Sequence, residues 1–182
     1  MKNKIILIGI PNNGKTTLGK RVSEKLNLPF YDTDRMTMDK VSIENPAAFF
    51  RLAFNGGFIA MQCEFMRELA QSEEAAIIAT GAEVALIPEC ALLMKSMGTI
   101  VHVKRDSATV IDDIKNGEPP RLVLMNVTTG EQINTHERSV ELYSEEFERY
   151  EALADVELDN NGSENEGVEK LTELVNEFLA AV

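Results

Sequence analysis

The sequence predicts an α/β fold, a doubly wound five-stranded parallel sheet flanked by helices. Three observations support this prediction. Short apolar segments rich in Ile and Val alternate with longer segments of helical periodicity along the 182 residues. The apolar segments lack a polar face, as expected for strands buried on both faces of a parallel sheet. A phosphate-binding type of loop follows the first of them, which places a ligand site at the carboxyl ends of the strands.

The predicted elements follow one another without a linker or an internal repeat, so we expect one domain over residues 1–182. The predicted strands are Lys4–Gly9, Pro29–Asp32, Ala75–Thr80, Thr99–Lys104 and Ala154–Asp159. The predicted helices are Lys15–Leu26, Thr33–Lys40, Pro46–Arg51, Gly57–Gln71, Pro88–Ser96, Ser107–Lys115, Thr135–Tyr150 and Glu166–Ala181. The last helix carries an apolar stripe typical of a helix that packs on a sheet. The polar stretches 116–132 and 159–166 are predicted to be loops, the first of them long and mobile.

Residues 9–17 read GIPNNGKTT, a complete G-x-x-x-x-G-K-T phosphate loop. Its position between an apolar strand and a helix distinguishes it from a chance glycine-containing turn. In such a loop, backbone N–H groups and the helix N-terminus bind phosphate oxygens, while the lysine reaches the β- and γ-phosphates. We therefore expect a nucleoside triphosphate and Mg²⁺ here, with Thr16 as a metal ligand. The predicted nucleotide-binding residues are Asn12, Asn13, Gly14, Lys15, Thr16 and Thr17.

Two acidic residues lie at the carboxyl end of the second predicted strand, Asp32 and Asp34. Residues two apart in a strand point to the same side, here toward the phosphate loop. We predict that Asp32 binds magnesium, directly or through water. Asp34 is predicted to face the acceptor hydroxyl, to orient it and to take its proton late in the transfer. A second interpretation stays open, in which Asp32 or Thr33 only caps the following helix.

With these motifs the chain resembles the shikimate kinase family of small P-loop kinases. The resemblance extends to Thr80-Gly81 and to Arg121-Leu122-Val123-Leu124, which is similar to the R-P-L-L segment at the start of the family's lid. It implies a P-loop kinase fold, a mobile lid at about residues 116–135, and ATP-dependent phosphorylation of a shikimate hydroxyl.

The resemblance also implies site residues outside the first two motifs. Catalysis would rest on Lys15, Asp34 and Arg121, because a guanidinium on a closing lid stabilises the charge that spreads over the transferring phosphate. Lys115 would lie against adenine. The substrate would contact Asp34, Gly81, Ala82 and, in a loose alignment, Arg138.

The chain departs from the family's pattern mainly on the acceptor side. In the phosphate loop, Asn12 stands where the family usually has Gly, and Asn tolerates left-handed backbone. The sequence Gly81-Ala82-Glu83 replaces three consecutive glycines. The arginine of the family's G-E-x-x-F-R-x-x-E segment falls on Met61, beside Gln62, and neither can form a bidentate pair with a carboxylate. We therefore expect a shikimate kinase-like phosphotransferase whose small hydroxyl acceptor differs from shikimate or is held differently.

The composition of the chain disfavours some classes of binding partner. A net charge of −12 argues against nucleic acid, which needs a basic surface. The sequence has no signal peptide and no apolar run of membrane-spanning length, so we expect a cytoplasmic protein without a membrane partner. We further expect a monomer or weak homodimer. The two cysteines, Cys63 and Cys90, lie in predicted helices and are expected to be packing residues rather than reactive thiols.

Two alternative functions remain at this level. The altered glycine and arginine positions would suit a nucleotide-binding regulatory domain that has lost the acceptor chemistry. A nucleoside or nucleotide kinase is the other alternative. A GTPase is disfavoured, because no N-K-x-D guanine-binding segment occurs in the sequence.

Overall fold

A computed structural model describes residues 2–41, 57–106, 108–110, 112 and 146–181. Five strands form one sheet in the order β2-β3-β1-β4-β5, and every pairing is parallel. The strands are β1 (Lys4–Ile8), β2 (Phe30–Asp32), β3 (Ala76–Ala79), β4 (Gly98–Lys104) and β5 (Val156–Asp159). The predicted five-stranded parallel sheet is confirmed.

The helices agree with the predicted ones to within two residues wherever both ends are described. They are α1 (Lys15–Leu26), α2 (Thr33–Val41), α3 (Gly57–Gln71), α4 (Pro88–Met97), α5 (residues 146–153) and α6 (Glu164–Ala181). A 3₁₀ turn at Glu83–Leu86 was not predicted. The helix predicted at Pro46–Arg51 lies outside the described residues, as do most of Ser107–Lys115 and the first part of Thr135–Tyr150.

Two apolar layers cover the two faces of the sheet. Alternate residues of β1 point to opposite faces, as in any strand: Ile5 and Leu7 join the layer under α1 and α6, while Ile6 and Ile8 join the layer under α3, α4 and α5. All four side chains are 0–2% exposed. The central strand is therefore buried on both faces, and its uninterrupted apolar run is explained.

A capping box fixes the start of the last helix. The Ser163 hydroxyl accepts a hydrogen bond from the Glu166 N–H (3.3 Å), and the Glu166 carboxylate accepts one from the Ser163 N–H (2.7 Å). These contacts satisfy backbone donors that have no partner within the helix. The helix therefore begins at Glu164, two residues before the predicted start.

The structure joins Cys63 of α3 to Cys90 of α4 in a disulfide, with the two Cα atoms 6.1 Å apart. The sequence had suggested two independent packing residues. Their separation of 27 residues gives no sign of pairing, because the contact depends on how α3 and α4 pack. Among the described residues, no helix is both long and apolar enough to cross a membrane.

The strand order places the ligand crevice. Strand β1 lies between β3 and β4, so the chain leaves it toward β2 and β3 on one side and later returns to β4 on the other. Ligands bind at such a switch point, outside the carboxyl ends of the strands. The phosphate loop, which follows β1 directly, lies at this point.

Candidate active site

The phosphate loop has the backbone conformation that its sequence requires. Positive φ angles occur at Gly9 (134°), Asn12 (57°) and Gly14 (98°). Asn12 thus adopts the left-handed conformation directly, which explains why it can stand in a position where glycine is usual. Helix α1 begins at Lys15, immediately after Gly14, and directs its N-terminus at the loop. The side chains of Asn12, Thr16 and Thr17 are exposed beside it.

Hydrogen bonds to β4 and to the segments after β4 and β5 hold the loop in place. Asn13 Nδ2 donates to the Val103 carbonyl of β4 (2.5 Å), and the Asn13 carbonyl accepts from Asn160 Nδ2 beyond β5 (2.7 Å). Arg105 donates to the Asn12 carbonyl at 3.2 Å. The side chain of Asn13 is 0% exposed. Its side chain therefore secures the loop, and contact of Asn13 with nucleotide stays a prediction.

Lys15 is the buried cation of the site. Its Nζ donates to the carbonyls of Gly9 (2.7 Å) and Ile10 (2.8 Å) and to Asn13 Oδ1 (3.0 Å). The residue is 8% exposed. Burial lowers the pKa of Lys15 to about 8, and the charges of Asp34, Asp32 and Glu146 act in the opposite direction. A partly desolvated ammonium surrounded by loop carbonyls is well placed to exchange them for phosphate oxygens.

Asp32 makes two hydrogen bonds, one to the phosphate loop and one to the start of α2. Its Oδ2 accepts a hydrogen bond from the Thr16 hydroxyl (2.6 Å), and its Oδ1 accepts one from the Arg35 N–H (3.1 Å). The second contact is an N-cap of α2. Thr16 and Asp32 are the predicted magnesium ligands, and their hard oxygens lie together at the loop. This pair fits Mg²⁺, which is usually held by one or two protein oxygens, phosphates and water.

The structure corrects the reason given for pairing Asp32 with Asp34. Strand β2 ends at Asp32 and α2 begins at Thr33, so Asp34 lies in the first turn of a helix and not in a strand. The two carboxylates nevertheless share the same end of the sheet, since both act on the charge of Lys15. Burial first, and then the charge of Asp32, raise the pKa of Asp34. A hydrogen bond from Gln62 and the charge of Lys15 oppose that rise.

Gln62 of α3 is a site residue that sequence reasoning missed. Its Nε2 donates to Asp34 Oδ1 (2.7 Å), and its Oε1 accepts from the Thr33 hydroxyl (2.8 Å). The sequence placed Gln62 beside Met61 and treated both only as poor replacements for an arginine. The sequence feature that could have identified Gln62 is its position in the helix. Gln62 is a polar residue on the buried face of α3, whose other members are Cys63, Phe65, Met66 and Leu69.

The segment after β3 is bonded differently from the prediction. The Gly81 N–H, expected to face the substrate, donates to Thr33 Oγ1 (3.0 Å). The Ala82 carbonyl accepts from the Tyr150 hydroxyl of α5 (3.0 Å). Both groups are therefore hydrogen-bonded within the protein, and a role for Gly81 and Ala82 as direct substrate ligands stays a prediction.

Two further carboxyls, Glu83 and Glu146, belong to the electrostatic surroundings of the site. Glu83 is exposed to solvent, yet desolvation by the surrounding protein and the charge of Asp34 raise its pKa. Burial and the charge of Glu83 raise the pKa of Glu146, while Arg149, Tyr150 and Lys15 lower it. This side of the site is acidic, and one of its acids is Glu83, which stands where the family pattern has glycine.

A cavity of about 430 Å³ adjoins the phosphate loop at the carboxyl ends of β4 and β5. It is lined by Lys104, Arg105, Asp106, Phe147, Glu157, Asp159 and Asn161. Because Arg105 also binds the Asn12 carbonyl, the cavity opens beside the loop. Three predicted site residues, Lys115, Arg121 and Arg138, lie outside the described residues, as does the lid expected at about 116–135.

Comparison with known proteins identifies the family. The family model for shikimate kinase matches residues 11–179. The chain belongs to the shikimate kinase family. A shikimate kinase of Clostridium beijerinckii is 29% identical over 185 residues, which cover 98% of each chain.

Solved shikimate kinase structures share the fold. The enzyme of Acinetobacter baumannii, in complex with shikimate, superposes with a TM-score of 0.79 at 19% identity, covering 98% of this chain and 94% of that one. The enzyme of Aquifex aeolicus gives a TM-score of 0.72 at 24% identity, covering 97% and 98%. Membership in the shikimate kinase family makes this protein an ATP-dependent, shikimate kinase-like phosphotransferase, and the regulatory and nucleotide-kinase alternatives are not favoured.

Proposed function

We propose that the protein transfers the γ-phosphate of ATP to a hydroxyl of shikimate. The observation that carries this proposal is the placement of Asp34 beside the phosphate loop, where its charge acts on the buried Lys15. A donor site and a possible hydroxyl-binding carboxylate thus meet at one end of the sheet. Relatives over nearly the whole length bear the name shikimate kinase, and a structural relative was solved with shikimate bound.

Four residues of the site have a proposed part in this reaction. Lys15 binds the phosphates and stabilises charge as it develops on the transferred group. Asp34 orients the acceptor hydroxyl and takes its proton. Thr16 and Asp32 would hold Mg²⁺, which neutralises phosphate charge when bound. The cavity beside Arg105 is the proposed site of the nucleoside, because it opens next to the loop that holds the phosphates.

A second acceptor class is supported by one observation. Glu83 lies within electrostatic range of Asp34, and Glu146 lies within range of Glu83 and Lys15, so the site carries several like charges that disfavour an anionic ligand. An uncharged polyhydroxy compound of similar size would avoid that repulsion. We therefore treat a neutral hydroxyl acceptor as the second candidate, with the donor half of the site unchanged.

The test is an ATP-consumption assay over shikimate, neutral polyols, sugar acids and nucleosides. We expect turnover with shikimate, and Asp34→Asn should lower kcat by about 100-fold or more while the KM for ATP stays within a few-fold. Asp39→Asn, an exposed acid on the same helix, is the control. Turnover with a neutral polyol but not with shikimate would establish the second candidate. Full activity of Asp34→Asn would remove the role assigned to Asp34.

A further inference from the structure

A continuous chain of hydrogen bonds leads from the backbone after β3 to the Asp34 carboxylate. The Gly81 N–H donates to Thr33 Oγ1 (3.0 Å), the Thr33 hydroxyl donates to Gln62 Oε1 (2.8 Å), and Gln62 Nε2 donates to Asp34 Oδ1 (2.7 Å). Three separate parts of the fold contribute: the end of β3, the first turn of α2, and α3. We call this chain of bonds the Gln62 relay.

The direction of every bond in the Gln62 relay is fixed by its chemistry. A backbone N–H can only donate, so Thr33 Oγ1 accepts from Gly81 and its own hydrogen remains free for Gln62. The Gln62 carbonyl must then face Thr33, which turns its NH₂ toward Asp34. Turning the amide around would set its oxygen against the carboxylate oxygen of Asp34, and two acceptors repel. The relay therefore presents a donor, and never an acceptor, to Asp34 Oδ1.

The burial of Gln62 shows that this contact is not incidental. Gln62 is 2% exposed and Thr33 is 0% exposed. Gln62 occupies the core-facing side of α3 next to Cys63 and Met66, where an apolar side chain would pack without a desolvation cost. A buried amide without partners would destabilise the fold, so its two bonds are needed for it to occupy this position.

We propose that Gln62 is a positioning residue for the phosphotransfer reaction. It binds Asp34 Oδ1 and so fixes the rotamer of the carboxylate, which leaves Oδ2 for the acceptor hydroxyl. Among the described residues, Asp34 Oδ2 has no hydrogen-bond partner. Gly81 completes the arrangement, because a Cβ there would lie 2.5 Å from Asp34 Oδ1 and would collide with the Gln62 amide. This inference rests on the proposed function, in which Asp34 contacts the acceptor.

The first test compares Gln62→Met, which keeps the length of the side chain and removes both polar groups, with Gln71→Met. Gln71 is an exposed glutamine at the end of the same helix. With shikimate as the acceptor, we expect Gln62→Met to lower kcat by about 10- to 100-fold, because a small misplacement of a reacting group reduces the rate by that much. The KM for ATP should stay within about threefold of the wild-type value. Gln71→Met should match the wild type. An unchanged kcat in a folded Gln62→Met protein would overturn the inference.

Thr33 supplies a second arm of the test. Thr33→Ser keeps the hydroxyl and should keep kcat within about threefold, whereas Thr33→Val, of nearly the same shape, should lower it about tenfold. Within a single relay the effects are not additive, so Thr33→Val should change kcat little in the Gln62→Met background. Additive losses would show that the two residues act separately and would contradict the relay.

A measurement without turnover separates this inference from the proposed function. The side-chain NH₂ of Gln62, assigned in ¹⁵N NMR by its loss in Gln62→Met, should exchange slowly with solvent in the nucleotide-free protein. Asp34→Ala should speed that exchange and shift the resonance, while Asp39→Ala should not. Inactivity of the wild type with every acceptor, together with a protected Gln62 amide, would reject the proposed function and retain the hydrogen bond. A fast-exchanging amide would reject the relay whatever the activity.

Discussion

The Thr16 hydroxyl donates a 2.6 Å hydrogen bond to Asp32 Oδ2, and this bond connects the phosphate loop to the start of α2. The other oxygen of the same carboxylate caps α2 through the Arg35 N–H. One side chain therefore serves the nucleotide half of the site and orients the helix that carries Asp34. Any change at Asp32 is expected to act on both halves.

The first prediction concerns this carboxylate. Asn can cap a helix as well as Asp and can still accept from the Thr16 hydroxyl, but it lacks the charge that attracts a divalent ion. Asp32→Asn should therefore leave thermal stability nearly unchanged and raise the Mg²⁺ concentration for half-maximal activity by about tenfold. The measurement is turnover against free Mg²⁺ at fixed ATP. An unchanged Mg²⁺ requirement would show that Asp32 acts only as a cap.

The second prediction concerns Lys15. Lys15→Met keeps the aliphatic stem and removes the ammonium that binds Gly9 O, Ile10 O and Asn13 Oδ1. We expect turnover to fall by about 100-fold or more, since a preorganised donor to the transferring group is lost. Lys20→Met, an exposed lysine of the same helix, is the control and should be fully active. Equal activity of the two variants would contradict the assigned role.

The third prediction concerns the backbone after β3. The Cβ added by Gly81→Ala would press on the Asp34 carboxylate and the Gln62 amide. We expect a loss of about 1–3 kcal/mol in the free energy of unfolding, together with a lower kcat. Gly162→Ala is the comparison for activity, because its Cβ would press on the Glu166 carboxylate of the α6 capping box and not on Asp34 or Gln62, so it can lower stability but should leave kcat unchanged. Urea titration and a turnover assay measure the two effects. A Gly81→Ala protein as stable and active as the wild type would show that Asp34 and Gln62 can move aside for the added Cβ.

The fourth prediction is a pH dependence of stability. His102 is 0% exposed, lies against the rings of Phe147 and Tyr150, and has no hydrogen bond to either ring nitrogen within the described part of the chain. Burial, and then the charge of Lys104, lower the pKa of His102 to about 4. The unfolded chain binds its proton near pH 6.5, so between pH 6.5 and 4 the unfolded state takes up a proton that the folded state does not. Stability from this group is complete at neutral pH and is lost as the pH falls through that window.

The loss from His102 should reach about 2.5 kcal/mol by pH 4.5. His102→Leu should remove that part of the pH dependence in urea unfolding at pH 7.5 and pH 4.5. His136→Leu, at the other histidine of the sequence, should not. The same slope in wild type and His102→Leu would mean that His102 is protonated in the folded protein.

The sequence was sufficient where the relevant pattern is local. Strand β1, the phosphate loop and α1 are consecutive, so an apolar run, the glycine and lysine spacing and the helical periodicity together predicted the elements and the place of Lys15 at the start of α1. Asp32 and Asp34 were found for the same reason. Strand alternation does not relate the two carboxylates, because α2 begins at Thr33 and Asp34 is therefore helical.

Contacts that join distant parts of the chain could not be predicted. Gln62 meets Asp34 across 28 residues through the packing of α3 on α2, and no spacing rule encodes that contact. Asn160 reaches Asn13 across 147 residues for the same reason. The roles of Lys115, Arg121 and Arg138, the lid at about 116–135, the cytoplasmic location and the monomer or weak homodimer all stay predictions.

The bond from Asn160 to Asn13 has a consequence for biosynthesis. The phosphate loop leaves the ribosome well before Asn160, which secures it and follows Asn13 by 147 residues. A nascent chain that already contains every residue of the nucleotide motif would still lack this anchor. Because a ligand stabilises only the state that binds it, ATP should protect the finished protein against proteolysis far better than a chain that stops before residue 160.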